Sequence, residues 1–420
     1  MHHFQYRDGA LFAEDVPIQA VARDVGTPFY IYSHATLERH FKVFDGAFRD
    51  IPHLVCFSMK SNSNRAVLRL FAGLGGGADI VSGGELYRAL AAGVDPERIV
   101  YSGVGKTEGE MEYALRSGIL LFAAESSQEI EALNRVAGRM GLKAPLAIRV
   151  NPDVDPLTHP YVSTGLRRNK FGIPFEDALG EYARAAALEH LDVCGVSCHI
   201  GSQLTRTSPF VDAMRRLEHL MDRLKGEGIS IRYLDLGGGL GITYEQEEPP
   251  DPAEYAASLK QEISGRGVTL LLEPGRVITG NAGVLVAKVL YTKSTGEKNF
   301  VIVDAGMNDL VRPSLYGSYH RIQQVELRDG PAATADVVGP ICETGDFLAR
   351  DRELPPFESG DLMAVMSAGA YGFVMASTYN SRPRPAEVMV KGDTYAVVRE
   401  RETYEDLARG EAVPGFLEEG

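Results

Sequence analysis

From about residue 34 to about residue 277 the chain alternates between two textures. Apolar runs fall at 54–59, 78–81, 98–101, 120–123, 146–150, 193–199, 233–236 and 269–273, and each but the last leads into a stretch whose apolar positions recur at helical spacing. Glu108–Ser117 and 125–138 are two such helices, the second with Glu125, Ser126 and Ser127 at its cap. A further helix over 35–48 precedes the first run. Strict alternation of strand and helix predicts parallel strands with covering helices. Eight such units over about 240 residues predict an α/β fold of the (β/α)8 TIM-like barrel type. A doubly wound open sheet is the alternative that the same count allows.

Near Gly283 the pattern changes. Strand-like runs at 284–291, 300–304, 335–338, 361–366, 387–390 and 394–399 are separated by turn signals, and convincing helices are few. This predicts a mostly antiparallel β-domain. Residues 1–33 carry short β-like pieces, such as Phe29-Tyr30-Ile31-Tyr32, and are expected to add strands to it. The expected division is a barrel over 34–277 and a β-domain from 1–33 and 278–420. The tail after Arg401 is expected to form a short acidic helix over 402–409.

Composition narrows the function. A chain of 420 residues suits two domains, and 44% hydrophobic with 24% charged residues is ordinary for a globular protein. The net charge is −14 and no long basic run occurs, which argues against nucleic-acid binding. Anions would instead be held by local arginines and backbone N–H groups. The four cysteines, Cys56, Cys194, Cys198 and Cys342, lack zinc or disulfide spacing. Cys194 and Cys198 lie near His199, but strand alternation would put His199 on the opposite face, so no metal is expected. The start Met1-His2-His3-Phe4 has no apolar signal region, and no apolar run approaches a membrane span. A cytoplasmic protein with reduced thiols and no membrane partner is the expectation.

The chemistry concentrates at one rim. Leu54-Val55-Cys56-Phe57-Ser58-Met59-Lys60-Ser61-Asn62 reads as a buried strand ending in an amine. Such a lysine either snorkels to water or, if it loses its proton readily, attacks an aldehyde to form a Schiff base. In a barrel the carboxyl ends of the strands converge on the face that carries active sites. Those ends hold Lys60, Asp79, Ser82, Ser102, Glu125, Arg149, Asn151, His199, Gly237 to Gly239 and Glu273. The run Leu236-Gly237-Gly238-Gly239 is either a tight turn or a backbone cradle for a phosphate, and it lacks the lysine and hydroxyl of a nucleotide loop. In Glu273-Pro274-Gly275-Arg276, the carboxylate suits a protonated ring nitrogen and the guanidinium suits a phosphate or carboxylate; a surface ion pair is the plainer alternative. His199 either stacks on a flat cofactor or is a hydrogen-bonded structural residue. Amine, carboxylate, glycine turn and imidazole together form the apparatus for pyridoxal 5'-phosphate.

Ordered motifs extend over nearly the whole length. They include 57–62, Gly77-Ala78-Asp79-Ile80-Val81-Ser82-Gly83-Gly84-Glu85, Asn151-Pro152-Asp153, Thr158-His159-Pro160-Tyr161, Ser163-Thr164-Gly165, Asn169-Lys170-Phe171-Gly172, Cys198–Gln203, Asp235–Gly241 and Glu273–Arg276. In the β-domain lie 304–310, Arg312-Pro313-Ser314-Leu315-Tyr316, Gly339-Pro340-Ile341-Cys342-Glu343-Thr344-Gly345-Asp346 and Gly369-Ala370-Tyr371-Gly372. In these the chain resembles the fold-type III pyridoxal-phosphate decarboxylases, with the alanine racemase and ornithine decarboxylase-like fold, and among them the diaminopimelate decarboxylases. The resemblance implies that Lys60 is the Schiff-base lysine and that His199 stacks on the ring. It implies cofactor contacts from Asp79, Ser202, Gly239, Glu273, Pro274, Gly275, Arg276 and Tyr371. Cys342 would be the general acid. Arg276, Arg312 and Tyr316 would take the distal carboxylate of meso-diaminopimelate and Glu343 its ammonium, with Tyr371 near the substrate. It further implies a homodimer whose partner subunit supplies the Cys342-Glu343 loop. By themselves, Cys342 reads as an inert buried thiol and Arg312 with Tyr316 as a surface pair. Decarboxylases of ornithine, arginine or carboxynorspermidine, a racemase, and a non-catalytic pyridoxal-phosphate binder are the alternatives. One departure is Phe57-Ser58-Met59 before the lysine, where the family often has tyrosine, alanine and valine; it is expected to touch packing only.

Overall fold

Eight short strands pair in parallel, each with the next along the chain: His53–Ser58, Gly77–Ile80, Ile99–Tyr101, Leu121–Ala124, Ala144–Asn151, Leu191–Ser197, Tyr233–Asp235 and Thr269–Leu272. The eighth returns to the first, Leu270 beside His53 and Leu272 beside Val55. The sheet is therefore a closed barrel, which excludes the open-sheet alternative. In the computed structural model, residues 2–155 and 170–417 are described. They divide into two compact units, Thr36–Asn281, and Met1–Ala35 with Ala282–Gly420.

The barrel forms for local reasons. Along His53–Ser58, Phe57 points outward and packs on Phe71 of helix Arg65–Gly73, ring centroids 4.6 Å apart, while Cys56 belongs to the interior cluster with Val100, Leu121, Ala147, Cys194 and Leu271. Small residues let the strands close: a Cβ at Gly195 would stand 2.9 Å from that of Ala147. The helices bury one stripe each. Ser127–Met140 buries Ile130, Leu133, Val136 and Ala137, begins at the Ser126 cap and stops at left-handed Gly141. Fully burying a side chain such as Leu133 contributes about 2 kcal/mol, and the Ser126 cap about 1 kcal/mol.

Each strand lies within two residues of its predicted bounds, and the small shifts matter. The first and sixth strands end at Ser58 and Ser197. Lys60 thus sits in a single 3-10 turn, Met59–Ser61. Cys198 and His199 lie beyond the strand, so strand alternation does not assign their faces as expected from the sequence.

The other unit is built on Phe29–Ser33, every residue of which is buried. It pairs antiparallel with Gly283–Ser294 and parallel with Ala386–Lys391. Asn299–Val303, Ala333–Val338 and Phe347–Leu354 extend the sheet on one side and Thr394–Arg399 on the other. Leu362–Val365 and Ile322–Gln324 branch from Gly283–Ser294. Most pairs are antiparallel, with two parallel exceptions. Within residues 1–33, where the sequence suggested short β-like pieces, Ile18–Val25 is a helix that buries Ile18 and Val21 on one face. The tail helix is shorter than expected, Tyr404–Leu407.

Candidate active site

The polar top of the barrel interior begins with two serine–carboxylate pairs on neighbouring strands. Ser58 stands beside Asp79 in register, and Ser197 beside Asp235. Ser58 Oγ donates to Asp79 Oδ2 at 2.8 Å, and Ser197 Oγ donates to Asp235 Oδ2 at 2.7 Å. Lys60 Nζ donates to the same Asp79 Oδ2 at 2.7 Å. Asp79 is fully buried and the lysine side chain is 36% exposed, so the amine lies where the polar layer meets the rim. Ser58 therefore does more than pack, contrary to the expectation from the sequence: its hydroxyl shares the oxygen that holds Lys60.

Glu273 follows the eighth strand and is buried, with Ser102 Oγ donating to it at 3.4 Å. Burial raises its pKa well above the usual carboxylate range, Asp235 and Asp79 add to this, and Lys60 and Arg149 oppose it. Burial likewise pushes Asp235 up to about 6, against the bonds it accepts from Ser197 and the Gly237 N–H. Burial and the Arg149 and Lys60 charges hold His199 well below the ordinary imidazole value, so this ring is neutral near pH 7. Its Nδ1 accepts the Gly238 N–H at 3.2 Å.

The glycine turn could hold no other residue. Gly237 and Gly239 have φ of 66° and 118°. A Cβ at Gly238 would lie 2.1 Å from the Glu273 carbonyl oxygen, and one at Gly239 would lie 2.4 Å from that of Gly201. Arg276 is buried beside this turn and donates to Ser202 Oγ at 3.2 Å and to Tyr244 OH at 2.6 Å. Pro274 and Gly275 are buried, and the Pro274 carbonyl accepts the Ser58 N–H. Arg149 pairs with Glu125 at 2.9 Å, both buried, with its guanidinium over the Phe171 ring. Ser82 is a helix cap, its hydroxyl accepting the Glu85 N–H, and Asn151 accepts the Asp153 N–H.

In the β-unit, Arg312 and Tyr316 bound one short helix, the guanidinium 5.7 Å from the ring centre. Arg312 is 4% exposed, so it is no surface residue. Cys342 and Glu343 are exposed, so Cys342 is not the buried thiol its sequence setting suggested; the Cys342 N–H donates to Asn380 Oδ1 at 2.7 Å, and Tyr379 OH donates to Glu343 at 3.5 Å. Tyr371 is half-buried with a φ of 55°, a conformation that a bulky residue holds only under constraint from its surroundings. The motifs at 158–161 and 163–165, with Asn169, lie outside the described residues.

Comparison with known proteins fits this arrangement. Residues 34–280 match the model for the pyridoxal-dependent decarboxylase, pyridoxal binding domain. The chain belongs to the pyridoxal-dependent decarboxylase family. It is 55% identical to the diaminopimelate decarboxylase of Pseudomonas aeruginosa, over 98% of this chain and 99% of that one. Among solved structures it is similar to the Helicobacter pylori diaminopimelate decarboxylase complexed with L-lysine, at 42% identity and a TM-score of 0.90, covering 93% and 98% of the two chains. It is similar also to the M. jannaschii enzyme in co-complex with L-lysine, at 38% identity and a TM-score of 0.94, covering 99% and 100%.

A decarboxylase of this family works with pyridoxal phosphate, and the barrel's residues suit it. Asp79, Asp235 and Glu273 bring three buried carboxylates together, and Asp79 Oδ1 has no hydrogen-bond partner among the described residues. A ring N–H⁺ at Glu273 would relieve that repulsion. The glycines let this turn pack against the Glu273 and Gly201 carbonyls more closely than any Cβ would allow, which keeps bare backbone at the rim where a phosphate would be held. Sequence reasoning did not single out Asp235, Ser58, Ser197 or Tyr244. For Asp235 a signal existed, an acid between Leu234 and Leu236 in an apolar strand.

Proposed function

We propose that the chain is a cytoplasmic homodimer that decarboxylates meso-2,6-diaminopimelate to L-lysine and CO2, the last step of lysine biosynthesis. The observation that carries the reading is Lys60 at 2.7 Å from buried Asp79, at the mouth of a barrel with a glycine cradle and a buried glutamate. The four free cysteines, one of them exposed, suit a reducing compartment.

Pyridoxal phosphate, when bound, supplies an electron sink for the pair left behind as CO2 departs. Lys60 is the covalent attachment point, and Asp79 holds its proton. Glu273 would pair with the ring nitrogen, while neutral His199 would offer a flat face without adding charge. Ser202, Gly239 and the Gly275-Arg276 backbone would hold the phosphate, with Pro274 shaping the turn. Tyr371 would contact the cofactor or substrate. Arg276, Arg312 and Tyr316 bind the distal carboxylate, and Glu343 binds the distal ammonium. Simple diamine-forming decarboxylases would need no such carboxylate pocket. Cys342 returns a proton to the carbon that lost CO2, its loop completing the site of the second subunit.

The test is to give purified holoprotein meso-diaminopimelate, ornithine, arginine and L-lysine in parallel. Equimolar CO2 and L-lysine from the first alone is the expected result. Turnover of ornithine or arginine at comparable kcat/KM would replace the substrate assignment, and racemisation without CO2 would replace the reaction.

A further inference from the structure

His320 is fully buried eight residues beyond Arg312 and is anchored from two sides. Its Nδ1 lies 2.9 Å from the Met366 carbonyl oxygen, and its own carbonyl accepts a bond from Arg352 at 3.0 Å. Met366 is itself fixed, its N–H donating to the Arg321 carbonyl at 2.8 Å. A carbonyl only accepts, so the ring proton sits on Nδ1. The Nε2 lone pair is then the acceptor for Arg312 Nε–H, 3.3 Å away. Ser318 Oγ takes a second bond, from Arg312 Nη2 at 3.1 Å, and the Tyr316 ring lies alongside the guanidinium.

We infer that His320 is a positioning residue that fixes the plane of the Arg312 guanidinium and so sets the enzyme's affinity for the distal carboxylate of its substrate. The inference rests on the reading of Arg312 given above. A guanidinium recognises a carboxylate through a planar fork, so the angle of that plane decides whether two bonds or one can form. A long side chain pinned only at its root would spend rotamer entropy at each binding event. Here the Nε edge is locked to a ring that is itself locked to the sheet strand Leu362–Val365 through the following residue, Met366. A histidine kept only for packing would serve equally well without an acceptor at Nε2.

Two ligands separate these roles. L-Lysine, the product, keeps the distal carboxylate, whereas pentane-1,5-diamine has the same carbon chain without it. His320→Leu in the holoenzyme is expected to raise KM for meso-diaminopimelate and the inhibition constant of L-lysine about tenfold, the scale of a lost bond to a charged group. It should leave kcat within about twofold and inhibition by pentane-1,5-diamine unchanged, which also reports that the variant is folded. His320→Gln, with a carbonyl acceptor of similar reach, is expected to recover most of the affinity. Unchanged L-lysine inhibition in His320→Leu, or an equal loss for both ligands, overturns the inference. Arg312→Lys distinguishes the premise: if it leaves L-lysine affinity intact, the carboxylate role of Arg312 falls and the inference with it. If Arg312→Lys loses affinity while His320→Leu keeps it, only the inference falls.

Discussion

Asp235→Asn should make the apoprotein more stable at neutral pH, although it alters the floor of the active site. The carboxyl of Asp235 is buried and pushed up to about 6 from an ordinary 3.8, chiefly by burial. Its folded value lies above its unfolded value, so the folded state favours the protonated form. That contribution is complete below about pH 4 and is lost as pH rises through about 6. The difference of roughly two units corresponds to about 3 kcal/mol at pH 7.5. Asparagine keeps both local bonds: its carbonyl accepts the Gly237 N–H, and its amide donates to Ser197 Oγ, now an acceptor. The assay is thermal unfolding of the cofactor-free proteins, wild type against variant, from pH 4.5 to 7.5. Taking the difference cancels the surface ion pairs common to both. A gap that widens to roughly 6 to 12 °C at pH 7.5 is expected for a unit of this size. A gap that stays flat with pH, or a variant less stable at pH 7.5, would falsify the claim that an ionised Asp235 strains the barrel.

Three further changes probe the rim and the loop. Gly238→Ala places a Cβ against the Glu273 carbonyl, backbone that cannot swing aside, so fluorescence titration should show pyridoxal-phosphate affinity reduced at least ~10-fold, the scale of a 1–3 kcal/mol overpacking cost. Lys60→Ala should lose at least ~10²-fold in turnover, and peptide mapping after borohydride reduction should find a pyridoxyl group on position 60 in wild type only. Cys342→Ala should lower kcat by ~10²-fold with substrate KM near wild type, because a proton donor acts after binding; steady-state kinetics with unchanged kcat would remove it as the acid.

The barrel was legible because its signal is periodic. Each apolar run is bounded by helical spacing, and errors of one or two residues at strand ends do not alter closure. The same logic placed Lys60, Asp79, Glu273 and the glycines at one rim, since parallel strands deliver their carboxyl ends together. Other features depend on pairing that no local pattern encodes. Ser58 reads as one small residue in an apolar run, and only the register with Asp79 gives its hydroxyl a partner. Phe347–Leu354 escaped notice because its sequence, FLARDREL, lacks apolar alternation. His320 carries no signal of its own: its meaning comes from Met366, 46 residues away. For Cys342, Glu343, Arg312 and Tyr316, the roles came from family resemblance, because an exposed thiol or an i,i+4 pair has many bland explanations.

The electrostatics of the barrel top link stability to function. Asp79, Asp235 and Glu273 are all buried: Asp79 raises Asp235, Asp79 and Asp235 both raise Glu273, and Lys60 and Arg149 only partly compensate. Glu85, drawn up to about 7 chiefly by burial and further by Asp79, feels the same field. A barrel selected for stability alone would replace such carboxylates with apolar side chains, since partly compensated buried charge costs several kcal/mol. What the excess of negative charge favours is a cationic group arriving from outside, and a protonated pyridine ring opposite Glu273 is such a group. The same repulsion among the carboxylates would hold the proton on such a ring. A protonated ring is also what makes the cofactor an effective electron sink. The strain expected in the pH dependence of the apoprotein and the electron-accepting character expected of the holoprotein therefore have one origin, the buried acids Asp79, Asp235 and Glu273 only partly offset by Lys60 and Arg149.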